Sequence, residues 1–503
     1  MPIRSREEIL KILRKLEGDP ASEFEDETLD FKSCPKDKKK LLRLALEYAV
    51  CFANRRGGTL VLGVNDKATG LDKVLEGCPA ADIEEIKRYI YDNTSPQILV
   101  DCEELFLEGR RLVLVHIPQG VTIHTTSSGE AKIRIGRDCM PLTGELRSRL
   151  PFQRGWADFT AQAVEELDEN ALDPLEMERL RKVLRERSPN SPLLSQSDLD
   201  FALNLSLLKT LEGGRRSPTV AGLLIAGKEE VLREWVPTHE VIYLRFGKTE
   251  TDYEVRIDLK VPILKAIERV SEAIEARNPI FTLKMGLFHF EILAFPDEVY
   301  REALLNALTH RDYTSPSSVF VRHYEDRLEI SNPGGFLEGI TPENIIRVEP
   351  KWRNPLLAEM FQKLRLVERA GVGVDRMFST MLYHGKEPPM FQADKHSVKV
   401  ILRNGSLDEP FARFVREEEK RDRGLGIDEL LVLSALRRRR EISLDETSQI
   451  LQLFDLERTK EVLNRMTREG YLFIATRLLA RLVRKGFLVQ VGKGRGAHYV
   501  LQK

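Results

Sequence analysis

Apolar residues recur at helical spacing at Ile9, Leu10, Ile12, Leu13 and Leu16, and again over 41–52, which predicts two amphipathic helices. Short apolar runs at 59–64, 111–117 and 131–135 predict strands, bounded by turn signals at Gly57-Gly58 and Gly120. Residues 1–150 therefore read as one mixed α/β unit. A charged helical segment (165–187) and a Ser/Pro-rich stretch (188–195) predict a helical linker over 151–195. Strand patterns at 240–246 and 319–323 and helix patterns at 260–276 and 298–309 place a second α/β unit at 196–405. Charges crowd without apolar periodicity over 413–426 and predict another boundary. Over 424–503 the chain is helical, then punctuated by glycine. There the segment 462–472 is echoed by 478–488, each an apolar helix face that stops at glycine and enters a strand.

Length and composition narrow this picture. The 503 residues are too many for one core, and 42% hydrophobic with 31% charged residues is a folded composition. Lys plus Arg number 78 against 79 Asp plus Glu, a formal charge of -1 that excludes a uniformly basic coat. Any nucleic-acid surface must then be a local patch. No apolar window approaches a bilayer span, and the N-terminus lacks a signal-peptide core, so the expected setting is cytoplasmic with no membrane partner. Five cysteines (Cys34, Cys51, Cys78, Cys102, Cys139) are odd in number and far apart, with no C-x-x-C pair. They are expected to be reduced and structural.

Three constellations carry chemistry. In the first, Glu25, Glu27, Asp30 and Lys32 precede Asn54-Arg-Arg-Gly57-Gly58 and a strand pattern ending near Asp66. In an extended segment Asp30 and Lys32 point the same way. Converging carboxylates suit Mg²⁺ or Mn²⁺, and a nearby Lys suits charge developing on phosphorus. Solvated acids beside an ordinary turn are the alternative reading. The pattern E-x4-[DE]-F-K followed by A-N-x-x-G-G-x-L-x-x-G-V-x-D resembles the AlbA-like domain of Schlafen proteins over about residues 20–140. That resemblance implies a nucleic-acid-binding domain in which Glu25, Asp30 and Asp66, with Lys32 beside them, correspond to a metal-dependent nuclease site. Asp30 stands where Glu is usual, and Glu27 competes with Glu25 for the first position.

The second constellation places Glu302 and Asn306 one turn apart on a helix whose Leu304, Leu305 and Leu308 turn toward the core. A carboxylate and a carboxamide so spaced suit a magnesium ion carrying phosphates. Downstream come Asn332-Pro-Gly334-Gly335, Arg353-Asn354-Pro355 and Gly371-Val-Gly373, with glycines that let backbone N–H groups approach an anion. These ordered elements resemble the Bergerat ATP-binding fold of gyrase, histidine kinases and MutL, in the RecG-like C-terminal variant. The resemblance implies that Glu302 and Asn306 form the N-box, with Asn306 on Mg²⁺ and Glu302 orienting water for any ATPase activity. It assigns Asn332 and Gly334 to the first glycine box and Gly371 and Gly373 to the second. Asn332 replaces an acid that normally accepts from adenine.

The third is the tail. Residues 471–503 hold Arg477, Arg481, Arg484, Lys485, Lys493, Arg495 and Lys503 with no acid. A basic helix followed by a basic hairpin tip resembles a winged helix, which implies contact with DNA through helix and wing. A solvated helix or a dimerising wing is the alternative, and Arg437 to Arg440 are read either way. The implied fold class is a multidomain α/β (α+β) chain: Schlafen AlbA-like domain, Bergerat α/β sandwich and C-terminal winged helix. This domain order resembles a group described as transcriptional regulators or ATP-binding proteins, and implies ATP with Mg²⁺ or Mn²⁺ as cofactors. DNA or RNA (tRNA included) are the implied partners, in a homo-oligomer. Two functions stay open: a nucleotide-gated nucleic-acid binder, or a Schlafen-type metal-dependent endonuclease controlled by its ATP-binding domain.

Overall fold

The computed structural model describes residues 4–16, 20–153, 157–247, 250–285, 288–367, 372–405, 407–420, 424–439, 442–453, 455–468, 488–491 and 498–501. They form two compact units, Met1–Pro151 and Phe152–Lys503.

The first unit opens with α1 (Arg6–Leu13), whose start is fixed by a capping box between Ser5 and Glu8. β1 (Leu29–Lys32), α2 (Lys38–Ala53), β2 (Gly58–Leu62), β3 (Asp101–Leu107) and β4 (Arg110–Ile117) follow. The four strands form a sheet in the order β1-β2-β4-β3, with only β1 and β2 parallel. Alternation along β2 sends Leu60 and Leu62 to the face covered by α2, and Val61 to the face covered by α1. A hairpin of β5 (Lys132–Ile135) and β6 (Asp138–Pro141) packs on α2.

The cysteines depart from expectation. Cys34 is bonded to Cys78 and Cys51 to Cys139, while Cys102 is free. The partners lie 44 and 88 residues apart in sequence, yet their Cα atoms are 5.3 and 5.8 Å apart. Those separations suit a disulfide, and it is tertiary packing, invisible in residue spacing, that creates them.

The second unit begins with α3 (Pro174–Arg187) and α4 (Val220–Ala226). The stretch expected to link domains instead buries Leu180 and Leu184 in this unit's core. Next come β7 (Val241–Phe246), β8 (Tyr253–Leu259), α5 (Ile263–Glu275), the hairpin β9 (Ile280–Met285) and β10 (Phe288–Leu293), and α6 (Asp297–Thr309). β11 (Val319–His323), β12 (Arg327–Pro333), α7 (Pro355–Lys363), α8 (Gly373–Tyr383), β13 (Met390–Ala393) and β14 (Ser397–Arg403) complete a six-stranded sheet. Its order is β8-β7-β11-β12-β14-β13, antiparallel except where β7 meets β11. Helices α5 and α6 bury Ile263, Val270, Leu304 and Leu308 against Tyr243, Val321, Ile330 and Val400 of the sheet.

Four further helices follow: α9 (Glu409–Lys420), α10 (Ile427–Arg439), α11 (Leu444–Ile450) and α12 (Leu456–Arg468). The boundary expected at 413–426 is largely α9, which buries Phe411, Ala412 and Val415. That i, i+1, i+4 pattern is visible only if the window begins before residue 413. β15 (Leu488–Val491) and β16 (His498–Leu501) pair antiparallel. Arg477, Arg481, Arg484, Lys485, Lys493 and Arg495 lie outside the described residues.

Candidate functional site

Between α6, the sheet and α8 lies a cleft of about 1100 Å³, counted to its open mouth. Its walls divide by chemistry. Ile330 and Asn332 of β12 with Val398 and Val400 of β14 give a mostly apolar floor. Glu302 and Asn306 of α6 and His310 just past its end line it, and Lys351 and Arg353 add cations. Leu304 and Leu308 do not fill it; they are buried in the core as the helical pattern predicts.

Glu302 and Asn306 are joined, Asn306 Nδ2 donating to Glu302 Oε1 at 3.2 Å. Gly373 opens α8 directly against this pair. A Cβ there would fall 1.9 Å from Glu302 Oε1, so with any other residue the carboxylate would have to leave this position. Gly371 lies outside the described residues. Asn332 donates from Nδ2 to the Pro333 carbonyl at 3.1 Å, which leaves its side-chain oxygen as an acceptor. Gly334 turns at φ +95°, a conformation that favours glycine.

Arg353 and Asn354 brace this turn against the end of α6. Arg353 Nε donates to the His310 carbonyl (3.1 Å) and Nη2 to the Gly335 carbonyl (2.7 Å). Asn354 Nδ2 donates to the carbonyls of Thr309 and Arg311, at 2.7 and 2.8 Å. Burial lowers the pKa of Arg353, and burial together with the Arg353 charge takes His310 down to about 4, so its imidazole is neutral near pH 7. The roof of the cleft comes from residues 335–352, including Phe336, Leu337, Ile340 and Trp352, and from Val374 and Met377 of α8. Sequence reading missed this roof; the only signal was a run of large apolar residues between Gly335 and Arg353 in a stretch otherwise rich in turn formers.

The first-unit constellation converges on an amine. Lys32 Nζ lies 2.6 Å from Asp30 Oδ1, 2.9 Å from Asp66 Oδ2 and 3.3 Å from Glu25 Oε1, and donates to the Phe31 carbonyl at 2.8 Å. Glu27 goes elsewhere, to Arg55 at 2.9 Å, so Glu25 and not Glu27 joins the group. Glu25 also accepts from the Phe31 N–H at 3.1 Å. Burial, then the neighbouring Asp30 charge, raises its pKa. For Lys32 burial acts the other way, but the charge and hydrogen bond of Asp30 hold the ammonium well above its ordinary pKa.

Asp30 is fully buried, and its second oxygen meets Arg134 Nη1 at 2.5 Å. Arg134 is itself fully buried, donates to the carbonyls of Asp26 and Leu29, and stacks over Phe52 at 5.2 Å. Glu25, Asp30 and Asp66 thus surround an ammonium, and Asp30 turns inward to a guanidinium. Among the described residues no group of three or more His, Cys, Asp or Glu side chains is arranged to hold a metal ion. Sequence reading also missed Arg134, since nothing in Lys132-Ile-Arg-Ile distinguishes a buried arginine from a surface one.

Comparison with known proteins adds three matches. Residues 25–143 match the family described as Schlafen, AlbA_2. Residues 317–402 match "Putative ATP-dependent DNA helicase recG C-terminal" (HATPase_c_4), a span that holds Asn332 and Gly334 but not the helix of Glu302 and Asn306. Residues 153–242 match a domain of unknown function, DUF8451. The crystal structure of the DIP2311 protein from Corynebacterium diphtheriae is similar in fold, with a TM-score of 0.51 at 22% identity over 92% of this chain and 93% of that one. No curated protein matches. Residues 25–143 and 317–402 are thus similar to an AlbA_2 domain and to a RecG C-terminal type ATPase domain, a composition that suggests a nucleic-acid-binding, ATP-binding protein. No helix among the described residues is long and apolar enough to cross a membrane.

Proposed function

We propose that this protein binds ATP in the second unit and uses nucleotide occupancy to control its hold on nucleic acid. The observation that carries the reading is the cleft: an apolar floor that runs up to a paired carboxylate and carboxamide, with Lys351 and Arg353 also in its lining. The donor set fits a nucleoside triphosphate. Asn332 offers an acceptor to an exocyclic amino group, Asn306 offers an oxygen to a divalent ion carried by phosphates, and Lys351 and Arg353 offer positive charge. One carboxylate alone holds magnesium poorly, which is why the ion would arrive with the triphosphate. Bound ATP would supply a phosphoanhydride for slow turnover. Glu302, buried beside Asn306, would be the group to orient water.

Nucleic acid is assigned to the AlbA_2 domain and to the acid-free tail, as in a transcriptional-regulator-like DNA binder. Calorimetry with MgATP tests the first half: Asn306→Ala should abolish the heat of binding while leaving the fold intact, and unchanged affinity would refute the assignment. Replacing Arg481 and Arg484 with Glu tests the second. It should weaken DNA binding and reduce the salt slope by about 2, one for each lost phosphate contact. Light scattering with and without ATP tests the homo-oligomer.

The Lys32 centre favours a second reading, a Schlafen-type endonuclease acting on tRNA or other RNA under control of the ATP-binding domain. Glu25 and Asp66 would take Mg²⁺ or Mn²⁺ only by displacing the ammonium between them. Incubation with tRNA and Mn²⁺ decides: cleavage lost in Asp30→Ala but kept in Glu302→Ala establishes the nuclease, and no cleavage at any Mn²⁺ level removes it.

A further inference from the structure

One sulfur of the first unit lies against the charge network of the Lys32 centre. Arg134 Nη1 is 4.0 Å from Cys139 Sγ and 2.5 Å from Asp30 Oδ2, so a single nitrogen touches both the Cys51–Cys139 bridge and the acid that grips Lys32. Phe52, the neighbour of Cys51, underlies the same guanidinium. The β5–β6 hairpin that carries Arg134 is held to α2 by this bridge, by Asn54 Nδ2 on the Lys132 carbonyl at 2.9 Å, and by a Lys132–Glu47 ion pair. The bridge is the one covalent member of that set. Cys34–Cys78, by contrast, joins the end of β1 to a loop and does not involve the hairpin.

We propose that the Cys51–Cys139 bridge is a redox latch on the Lys32 centre, with Arg134 as the positioning residue between them. The inference rests on the nucleic-acid reading of the first unit for its consequence, not for its chemistry. A small-molecule dithiol reduces the bridge: two electrons and two protons convert the S–S bond into Cys51 and Cys139 thiols, and the dithiol closes to its own disulfide. The cross-link from α2 to β6 is then gone. Freed from the bridge, the Cys139 sulfur stays within reach of the Arg134 guanidinium and competes with Asp30 for it, and Asp30 then leans on Lys32 alone. The ammonium is less available to a phosphodiester in that state, so the oxidised protein binds single-stranded RNA more tightly.

The test uses the full chain equilibrated in dithiothreitol buffers of graded oxidation, with thiols trapped by iodoacetamide and counted by mass. Binding of a fluorescent single-stranded RNA is followed by anisotropy, and backbone hydrogen exchange is followed over 29–32 and 132–135. The expected coupling is at least about fivefold in RNA affinity, the lower end of ordinary two-site linkage. Its midpoint should track the trapped fraction of Cys51–Cys139. Cys34→Ser should keep the response, Cys139→Ser should show a single affinity in every buffer, and Arg134→Lys should fold but lose most of the response. Equal RNA affinity in both trapped states overturns the latch, as does a bridge that never forms. If RNA fails to bind in either state, the nucleic-acid reading falls, and hydrogen exchange then decides the latch by itself. Faster exchange over 29–32 on reduction supports it, and identical exchange overturns it.

Discussion

Gly373→Ala separates the architecture of the cleft from its chemistry. The new methyl carbon would lie 1.9 Å from Glu302 Oε1 and 2.7 Å from Cδ, but 3.5 Å from Cγ, so the clash is confined to the far end of one side chain. The carboxylate must swing away, and no backbone needs to move. The hydrogen bond from Asn306 is lost, at a cost of up to about 1.5–3 kcal/mol for a bond to a charged group. Gly373 has a negative φ, so alanine also restricts the unfolded chain and returns roughly 0.4–1 kcal/mol. The net loss is about 1–2 kcal/mol, which for a unit of this size lowers Tm by only about 1–3 °C. Function should suffer far more, because the carboxylate proposed to orient water leaves its place. Circular dichroism melts and single-turnover ATP hydrolysis on the same preparation check both halves. Wild-type turnover in Gly373→Ala would refute the role given to Glu302. A melt lowered by more than about 10 °C would refute the claim that only a side chain moves.

Other expectations follow from burial and charge. Arg134→Met strands the buried Asp30 carboxylate and should cost the first unit about 3–5 kcal/mol in denaturant unfolding, with much of it recovered in Asp30→Asn/Arg134→Met; a single-variant loss under about 1 kcal/mol would refute the buried pair. His239, His310, His323 and His384 are all held down to about 4, chiefly by burial. Their folded pKa lies below the unfolded one, so their contribution is complete above about pH 6.5 and is lost as pH falls toward 4. Unfolding of the second unit should therefore take up two or more protons in that window, measured from denaturant midpoints against pH, and uptake of fewer than one would contradict it. Arg347 donates from Nε to the Leu451 carbonyl at 2.8 Å and pairs with Asp428. Arg347→Ala should speed hydrogen exchange in α10 and α11, and an unchanged exchange pattern would show that the contact holds nothing.

Much of this was legible in residue order because local pattern and burial agreed. Leu304 and Leu308 repeat at a helical interval and are buried, which left Glu302 and Asn306 on the other face of α6. The run over 59–64 alternates faces as β2 does, and Lys32 and Asp30 meet as adjacent same-side positions of β1. What was not legible depends on long-range packing. Arg134 is a buried cation because Asp30 lies across from it, more than a hundred residues away, and no local signal records that. Cys51 meets Cys139 for the same reason. The roof at 335–352 has neither helical nor strand period, so nothing local marks its apolar residues as the wall of a cleft. The window that began at Arg413 cut α9 apart from Phe411, the residue that shows its buried side.

The cleft shares a wall with the C-terminal helices. Ile345, Val374 and Phe391 line the cleft on one side and pack on the other against a cluster built from Phe411, Val415, Leu430, Leu433 and Met466. Only one layer of side chains separates ligand space from that cluster. A fragment ending at Arg403 would keep the whole sheet and yet lay bare Phe378, Leu382 and Ile346, which belong to the same cluster. Anyone wishing to crystallise or screen the cleft in isolation must therefore carry residues 409–468 along with it, and substitutions deep in those helices will be felt by whatever occupies the cleft.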